Sequence, residues 1–107
     1  MIDDRIGQLE AFINEDPKDP FNHYALALEY LKTNASKAFG QFEFLLKTHP
    51  DYLPTYYPFA HLLIEMGSDE RGEQVFKLGI EKARVLKESK TLRELQKAYD
   101  DWLFQRE

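Results

Sequence analysis

The apolar residues divide the chain into six segments with helical periodicity. Within each segment, apolar side chains recur at spacings of three and four residues, which places them along one stripe of an α-helix. Breaks rich in proline, glycine or small polar residues separate the segments at residues 17–20, 33–36, 49–54, 67–68 and, more weakly, 88–91. None of the segments alternates apolar and polar residues in the manner of a strand. The pattern therefore predicts an all-α protein with about six helices.

Composition agrees with one folded domain that spans residues 1–107. Hydrophobic residues make up 43% of the chain and aromatic residues 14%, enough for a compact core at 12.6 kDa. The sequence has no cysteine, which excludes disulfides and thiol catalysis, and its net charge of −5 disfavours nucleic acid as a partner. Because no apolar run approaches the ~20 residues of a membrane span and the first nine residues are too acidic for a signal peptide, we expect no membrane association and a cytoplasmic protein.

The middle of the chain repeats itself. One helix of each half carries two aromatic residues, an alanine and a leucine at matching spacing, 35 residues apart: Phe21, Tyr24, Ala25 and Leu28, then Tyr56, Phe59, Ala60 and Leu63. In the helices that follow, three positions match 34 residues apart: Ala38, Phe42 and Leu45, then Gly72, Phe76 and Gly79. The difference of one residue predicts that the turn at 33–36 is longer than the turn at 67–68. The small residues are expected to let the paired helices approach closely.

These residues resemble tetratricopeptide repeats, a family of 34-residue helical hairpins that stack into a right-handed superhelix. The resemblance extends to Gly67 in a turn and Pro50 after a helix. It implies a helix over residues 1–16 similar to the second helix of a hairpin, repeats over 19–50 and 51–86, and a capping helix over 90–106, all antiparallel to their neighbours. The chain departs from the family pattern at Arg84, where a proline would end the helix, and at Gln96, where the capping helix lacks the small residue.

The resemblance also implies a function, because family members bind a peptide or partner helix in the concave groove lined by the first helix of each hairpin. The positions that correspond to this groove are Asn22, Leu26, Glu29 and Tyr30 in the first hairpin, Tyr57, His61, Ile64 and Glu65 in the second, and Arg93, Lys97 and Asp101 on the capping helix. They lack the basic pattern with which chaperone-binding members hold a carboxylate. We therefore expect a non-enzymatic interaction module or adaptor for some other protein or peptide.

No constellation of residues in the sequence predicts catalysis, a metal site or a cofactor. The three histidines lie on separate segments, and His61 forms a single i,i+4 pair with Glu65. The adjacent aspartates at positions 3–4 and 100–101 would point about 100° apart on a helix, so neither pair converges on a substrate. We predict no catalytic residues, no metal and no cofactor.

The C-terminal end suggests an alternative function as a self-assembling structural unit. One helix face cannot bury Trp102, Leu103 and Phe104 together, so Phe104 is either exposed, folded back or in contact with a second molecule. Residues 1–19 carry six acids and two bases, whereas residues 77–97 carry seven bases and three acids. Opposite charges at the two ends are compatible with head-to-tail association. The expected state is a monomer or a weak homodimer.

Pro58 conflicts with the repeat, because a proline inside a helix loses one hydrogen bond and clashes with the preceding turn. Two alternatives are open. Either Thr55 caps the helix and Pro58 lies in its first turn, where proline is tolerated, or the helix starts near Leu53 and bends at Pro58. The second alternative is favoured, because the repeat already expects helix at Pro54 and Thr55.

Overall fold

The computed structural model describes residues 4–106, and over that range every regular element is a helix. Six α-helices are present, together with a short 3₁₀ helix over Leu53–Thr55: α1 (Arg5–Glu15), α2 (Pro20–Leu31), α3 (Ala35–Thr48), α4 (Tyr56–Glu65), α5 (Asp69–Val85) and α6 (Ser89–Arg106). The predictions of an all-α fold and of about six helices are confirmed. The handedness of a solenoid stays a prediction.

The helices group into two compact units, Met1–Tyr52 and Leu53–Glu107. In the N-terminal unit α2 packs against both α1 and α3, and in the C-terminal unit α5 packs against both α4 and α6. Connections of three or four residues join each packed pair, which makes the partners in a pair antiparallel. Each unit is thus a helical hairpin with one additional helix.

Local sequence signals set the starts of α2 and α3. The Asp19 carboxylate accepts a hydrogen bond from the Phe21 backbone N–H at 3.0 Å, and Pro20 occupies the first helical position. The Asn34 side-chain oxygen accepts from the Lys37 backbone N–H at 3.1 Å. Both caps satisfy backbone donors that the first helical turn leaves unpaired.

The ends of α4 and α5 share one geometry. Gly67 has φ of 85°, and the N–H of the next residue bonds to the Leu63 carbonyl at 2.8 Å. After α5, Lys87 takes the same left-handed conformation with φ of 60°, and the Glu88 N–H bonds to the Ala83 carbonyl at 2.9 Å. Gly67 is therefore the turn glycine that the sequence predicts. The left-handed turn ends α5 at Val85, although Arg84 stands where the family pattern has the helix-ending proline.

The core of the C-terminal unit follows the predicted repeat. All four of its predicted positions on α4 are at most 2% exposed: Tyr56, Phe59, Ala60 and Leu63. Opposite them, Gly72 and Gly79 on α5 are buried. A Cβ atom at Gly79 would lie 2.7 Å from the Tyr56 Cβ, and one at Gly72 would lie 2.7 Å from the Ile64 Cγ1. The two glycines therefore allow the backbone of α5 to approach α4.

The predicted register of the N-terminal repeat is wrong by two residues. Phe21 is 57% exposed, and Tyr24, Ala25 and Leu28 are only partly buried. The buried residues of α2 are instead His23, Leu26, Ala27 and Tyr30, which match the α4 core at a spacing of 33 residues. At this spacing, residues 20–22 of α2 correspond to the 3₁₀ helix Leu53–Thr55, so Phe21 precedes the core positions.

The predicted longer turn of the first repeat is not found either. Residues 32–34 connect α2 to α3, and residues 66–68 connect α4 to α5, so both connections have three residues. The expectation of a longer turn in the first repeat is wrong, since it followed from the misplaced match at Phe21.

Pro58 is accommodated by a combination of the two alternatives. The helical path begins at the 3₁₀ helix Leu53–Thr55, but the α-helix starts at Tyr56, so Pro58 is the third residue of α4. Thr55 makes no side-chain cap, and its hydroxyl is buried without a hydrogen bond in the described residues. Pro58 therefore lies in a first turn, where the missing N–H costs little.

Candidate functional site

Three of the predicted groove residues meet at one pocket in the C-terminal unit. Tyr57 from α4 and Lys97 and Asp101 from α6 line an open cavity of about 370 Å³, together with Glu94 and Ala98. We call these five residues the Tyr57 pocket. Glu94, Lys97, Ala98 and Asp101 recur at three- and four-residue spacing, so they lie along one face of α6. Glu94 and Ala98 were not among the predicted residues, although this spacing from Lys97 and Asp101 indicates them.

Tyr57 is 48% exposed, yet its ring is held in place by its own helix. The His61 ring lies one turn further along α4, with its centroid 4.5 Å from that of Tyr57. His61 in turn meets the edge of the buried Phe76 ring at 5.9 Å. The other predicted residues of α4 differ: Glu65 is exposed, whereas Ile64 is partly buried and packs beside Gly72.

On α6, the Lys97 ammonium donates a hydrogen bond to the Asp101 carboxylate at 2.9 Å. This hydrogen bond and the charge of Asp101 raise the pKa of Lys97. Glu94 makes no hydrogen bond or ion pair with any residue of 4–106. Arg93 is exposed and is not among the residues that line the pocket.

Contacts with α5 hold α6 in position behind the pocket. The Tyr99 hydroxyl donates a hydrogen bond to the Glu73 carboxylate at 2.9 Å, and the Tyr99 ring lies 5.8 Å from that of Phe76. Trp102 is 9% exposed and also lies against Phe76, at 6.3 Å. Desolvation, and then the bond to Glu73, raise the pKa of Tyr99. The pocket face of α6 is thus anchored from the opposite side of the helix.

The predicted groove residues of the N-terminal unit need correction. Leu26 and Tyr30 are 2% and 9% exposed, so they belong to the core and not to a surface. Asn22 is partly exposed, and the Glu29 carboxylate accepts a hydrogen bond from Lys32 at 2.9 Å. The error follows from the register, because the groove positions were transferred with the misplaced match.

In the corrected register, Tyr24 is the counterpart of Tyr57, and Leu28 and Leu31 are the counterparts of His61 and Ile64. The Tyr24 ring meets the Tyr52 ring edge to face, with 5.7 Å between centroids. Burial raises the pKa of both tyrosines. Sequence reasoning missed Tyr24, although leucine, alanine and tyrosine at positions 26, 27 and 30 match the α4 core.

The three consecutive apolar residues near the C-terminus differ in burial. Trp102 is buried, Leu103 is partly buried and Phe104 is 78% exposed. The Arg106 guanidinium lies over the Trp102 ring, 4.6 Å from its centroid. Trp102 therefore continues the buried stripe of α6, and Phe104 projects to the surface.

The remaining polar candidates have structural partners. His23 donates from Nε2 to the Pro17 carbonyl at 2.9 Å, and Lys97 and Gln96 bind the neighbouring carboxylates Asp101 and Asp100 separately. No group of three metal-ligating side chains converges within residues 4–106. Asp3 lies outside the described residues. In the same range, no helix has both the length and the apolar character needed to cross a bilayer.

Each unit contains one hairpin whose helices pack through small residues. This repetition defines a helical-repeat protein. Among solved structures, the chain is similar to a tetratricopeptide repeat domain protein from Salinibacter ruber determined by solution NMR, at 44% identity and a TM-score of 0.76 over 80% of this chain and 88% of that one. A crystal structure of a tetratricopeptide repeat domain protein from the same organism matches at 44% identity and a TM-score of 0.71, over 76% of this chain and 92% of that one. The chain belongs to the tetratricopeptide repeat family. Neither a family model nor a curated protein matches the sequence.

Proposed function

We propose that this protein is a non-enzymatic adaptor that binds a peptide or partner helix on the α4–α6 surface of its C-terminal unit. Membership of the tetratricopeptide repeat family supports a protein–protein interaction module in general. The observation that indicates the site is the exposure of Tyr57, an aromatic side chain that is 48% exposed beside an open pocket.

Tyr57 has the properties of an interface anchor. Its ring is restrained by His61, so binding would immobilise few additional rotamers. Tyrosine is enriched among residues that dominate binding energy, because it combines a large apolar area with a hydroxyl group. The Lys97–Asp101 pair lies at the same pocket and supplies a polar rim.

The test is a selection of phage-displayed peptides of about 12 residues on the immobilised full chain, followed by fluorescence anisotropy with the enriched peptides. Tyr57→Ala is expected to weaken their binding by about tenfold or more. Phe21→Ala is the matched control, because Phe21 is another exposed aromatic residue but lies on α2. Circular dichroism would establish that both variants remain helical.

Equal binding by the wild type and Tyr57→Ala would show that the Tyr57 pocket is not the binding surface. A loss with Phe21→Ala and none with Tyr57→Ala would place binding on the N-terminal unit instead.

A second candidate is self-association through the C-terminal end, which the exposure of Phe104 favours. Light scattering after size exclusion, over a roughly hundredfold range of concentration, is expected to show dimer only at the upper end. Phe104→Ser should then abolish the dimer. A monomer at every concentration would exclude this candidate.

A further inference from the structure

We propose that the Tyr57 pocket accepts a cationic side chain, lysine or arginine, from the bound segment. The inference rests on the proposed function and adds the chemistry of the group recognised. Its basis is an exposed aromatic ring at the same cavity as Glu94, a carboxylate that has no partner within residues 4–106.

The charges that line the pocket leave one carboxylate uncompensated. Lys97 is hydrogen-bonded to Asp101 at 2.9 Å, so these two side chains neutralise each other. Glu94 has no hydrogen bond or ion pair with the rest of residues 4–106. The residues that line the pocket therefore carry an excess of one negative charge, which a cation from a partner would pair.

Tyr57 supplies the second element of a cation site. An aromatic ring attracts an ammonium or guanidinium group placed over its face within about 6 Å of the centroid. The same unit already contains this arrangement at its C-terminal end, where Arg106 lies 4.6 Å from the centre of the Trp102 ring. The small side chain of Ala98 leaves the space between Tyr57 and α6 open.

An acidic side chain fits the pocket poorly. It would have to share the Lys97 ammonium with Asp101 and would lie near Glu94, with repulsion from both carboxylates. Charge complementarity therefore selects a basic segment.

The experiment uses the full chain and the peptides enriched by phage display, each synthesised with arginine replaced by citrulline or lysine replaced by norleucine. Citrulline keeps the shape of arginine and norleucine keeps the four-carbon stem of lysine, and both remove the charge. Binding to the wild type is expected to fall by about 5- to 30-fold, the combined size of one cation–π contact and one partly exposed ion pair.

Glu94→Gln identifies the carboxylate responsible. The charged peptide should bind this variant about 3- to 5-fold more weakly, while the uncharged peptide binds both proteins equally, which isolates the coupling between the two groups. Glu10→Gln, an exposed residue of α1, makes the same change in net charge and should leave binding unaltered.

The outcomes separate this inference from the proposed function. Peptides that lose affinity with Tyr57→Ala but contain no basic residue, or bind equally after the charge is removed, would overturn the cation site and leave the adaptor function intact. Enrichment of acidic peptides that depend on Lys97 would overturn it as well. If no enriched peptide depends on Tyr57, both proposals fail.

Discussion

The two units build equivalent hairpins from different side-chain volumes. On α2 the core positions hold His23, Leu26, Ala27 and Tyr30, whereas on α4 they hold Tyr56, Phe59, Ala60 and Leu63. On the partner helix, α3 places Ala38 and Leu45 where α5 has Gly72 and Gly79. At these positions, the C-terminal unit thus has larger side chains on the first helix of its hairpin, and the N-terminal unit has larger side chains on the second.

This exchange shows what the repeat preserves. Tyr56 lies against Gly79 so closely that a Cβ on the glycine would be 2.7 Å from the Tyr56 Cβ. At the corresponding positions, the smaller His23 is combined with Leu45, which is fully buried. A hairpin of this kind constrains the summed volume of facing positions more tightly than the identity of either residue.

The units also differ in what covers the aromatic residue beside the core. Tyr24 is covered by Tyr52 from the same chain, while its counterpart Tyr57 is 48% exposed over an open pocket. Equivalent positions of one repeat thus serve internal packing in one unit and present a surface in the other. The candidate site follows from this difference.

Enlarging the small residue on the first helix of each hairpin should have the largest effect on stability. Ala27 and Ala60 are fully buried, so Ala27→Leu and Ala60→Leu are each expected to lower the free energy of unfolding by about 1–3 kcal/mol through overpacking. Chemical denaturation monitored by circular dichroism gives the value. Ala25→Leu is the control for the register, since Ala25 is only partly buried and should cost less than half as much. A larger loss at Ala25 than at Ala27 would restore the register predicted from the sequence.

Adding one methyl group to a helical glycine should distinguish the two hairpins. Gly79→Ala is expected to cost about 1–2 kcal/mol, because its Cβ would lie 2.7 Å from Tyr56 and 3.0 Å from Leu95 and the gain in helix propensity offsets only part of the clash. Gly40→Ala on α3 should stabilise by about 0.5–1 kcal/mol, since nothing lies within 4 Å of its Cβ. Thermal unfolding of both variants tests the sign. Equal shifts in the same direction would contradict the close packing of α4 and α5.

The sequence was sufficient for the helices and for the C-terminal hairpin, because apolar spacing and breaker residues act locally. It misplaced the N-terminal repeat because Phe21 and Tyr24 reproduce the aromatic spacing of Tyr56 and Phe59 while lying outside the core. Which residues of α2 are buried depends on the turn that faces α3, and aromatic spacing alone does not identify that turn. Leucine, alanine and tyrosine at positions 26, 27 and 30 carried the correct signal.

Part of the candidate site could likewise be predicted from the sequence. Tyr57, Lys97 and Asp101 were transferred from the family pattern and line one pocket, since the register of the C-terminal unit was right. Leu26 and Tyr30 were transferred with the wrong register and are buried. Glu94 has no partner within residues 4–106 because Lys97 pairs with Asp101 instead. Both acids lie about one turn from Lys97, and only the structure shows which of them forms the ion pair.

Replacing the proline beside Tyr57 should have the smallest effect and tests how the two units begin their hairpins. Pro58 is the third residue of α4, where a backbone N–H is not required, so Pro58→Ala restores little hydrogen bonding. The substitution also gives the unfolded chain more freedom, which lowers stability. We therefore expect a loss of about 0.5 kcal/mol or less in chemical denaturation, with unchanged helix content. A gain of similar size would show that the carbonyl of Pro54 accepts the restored N–H. In that case the helix would run without interruption from Leu53 and bend at Pro58, as the sequence alone favours.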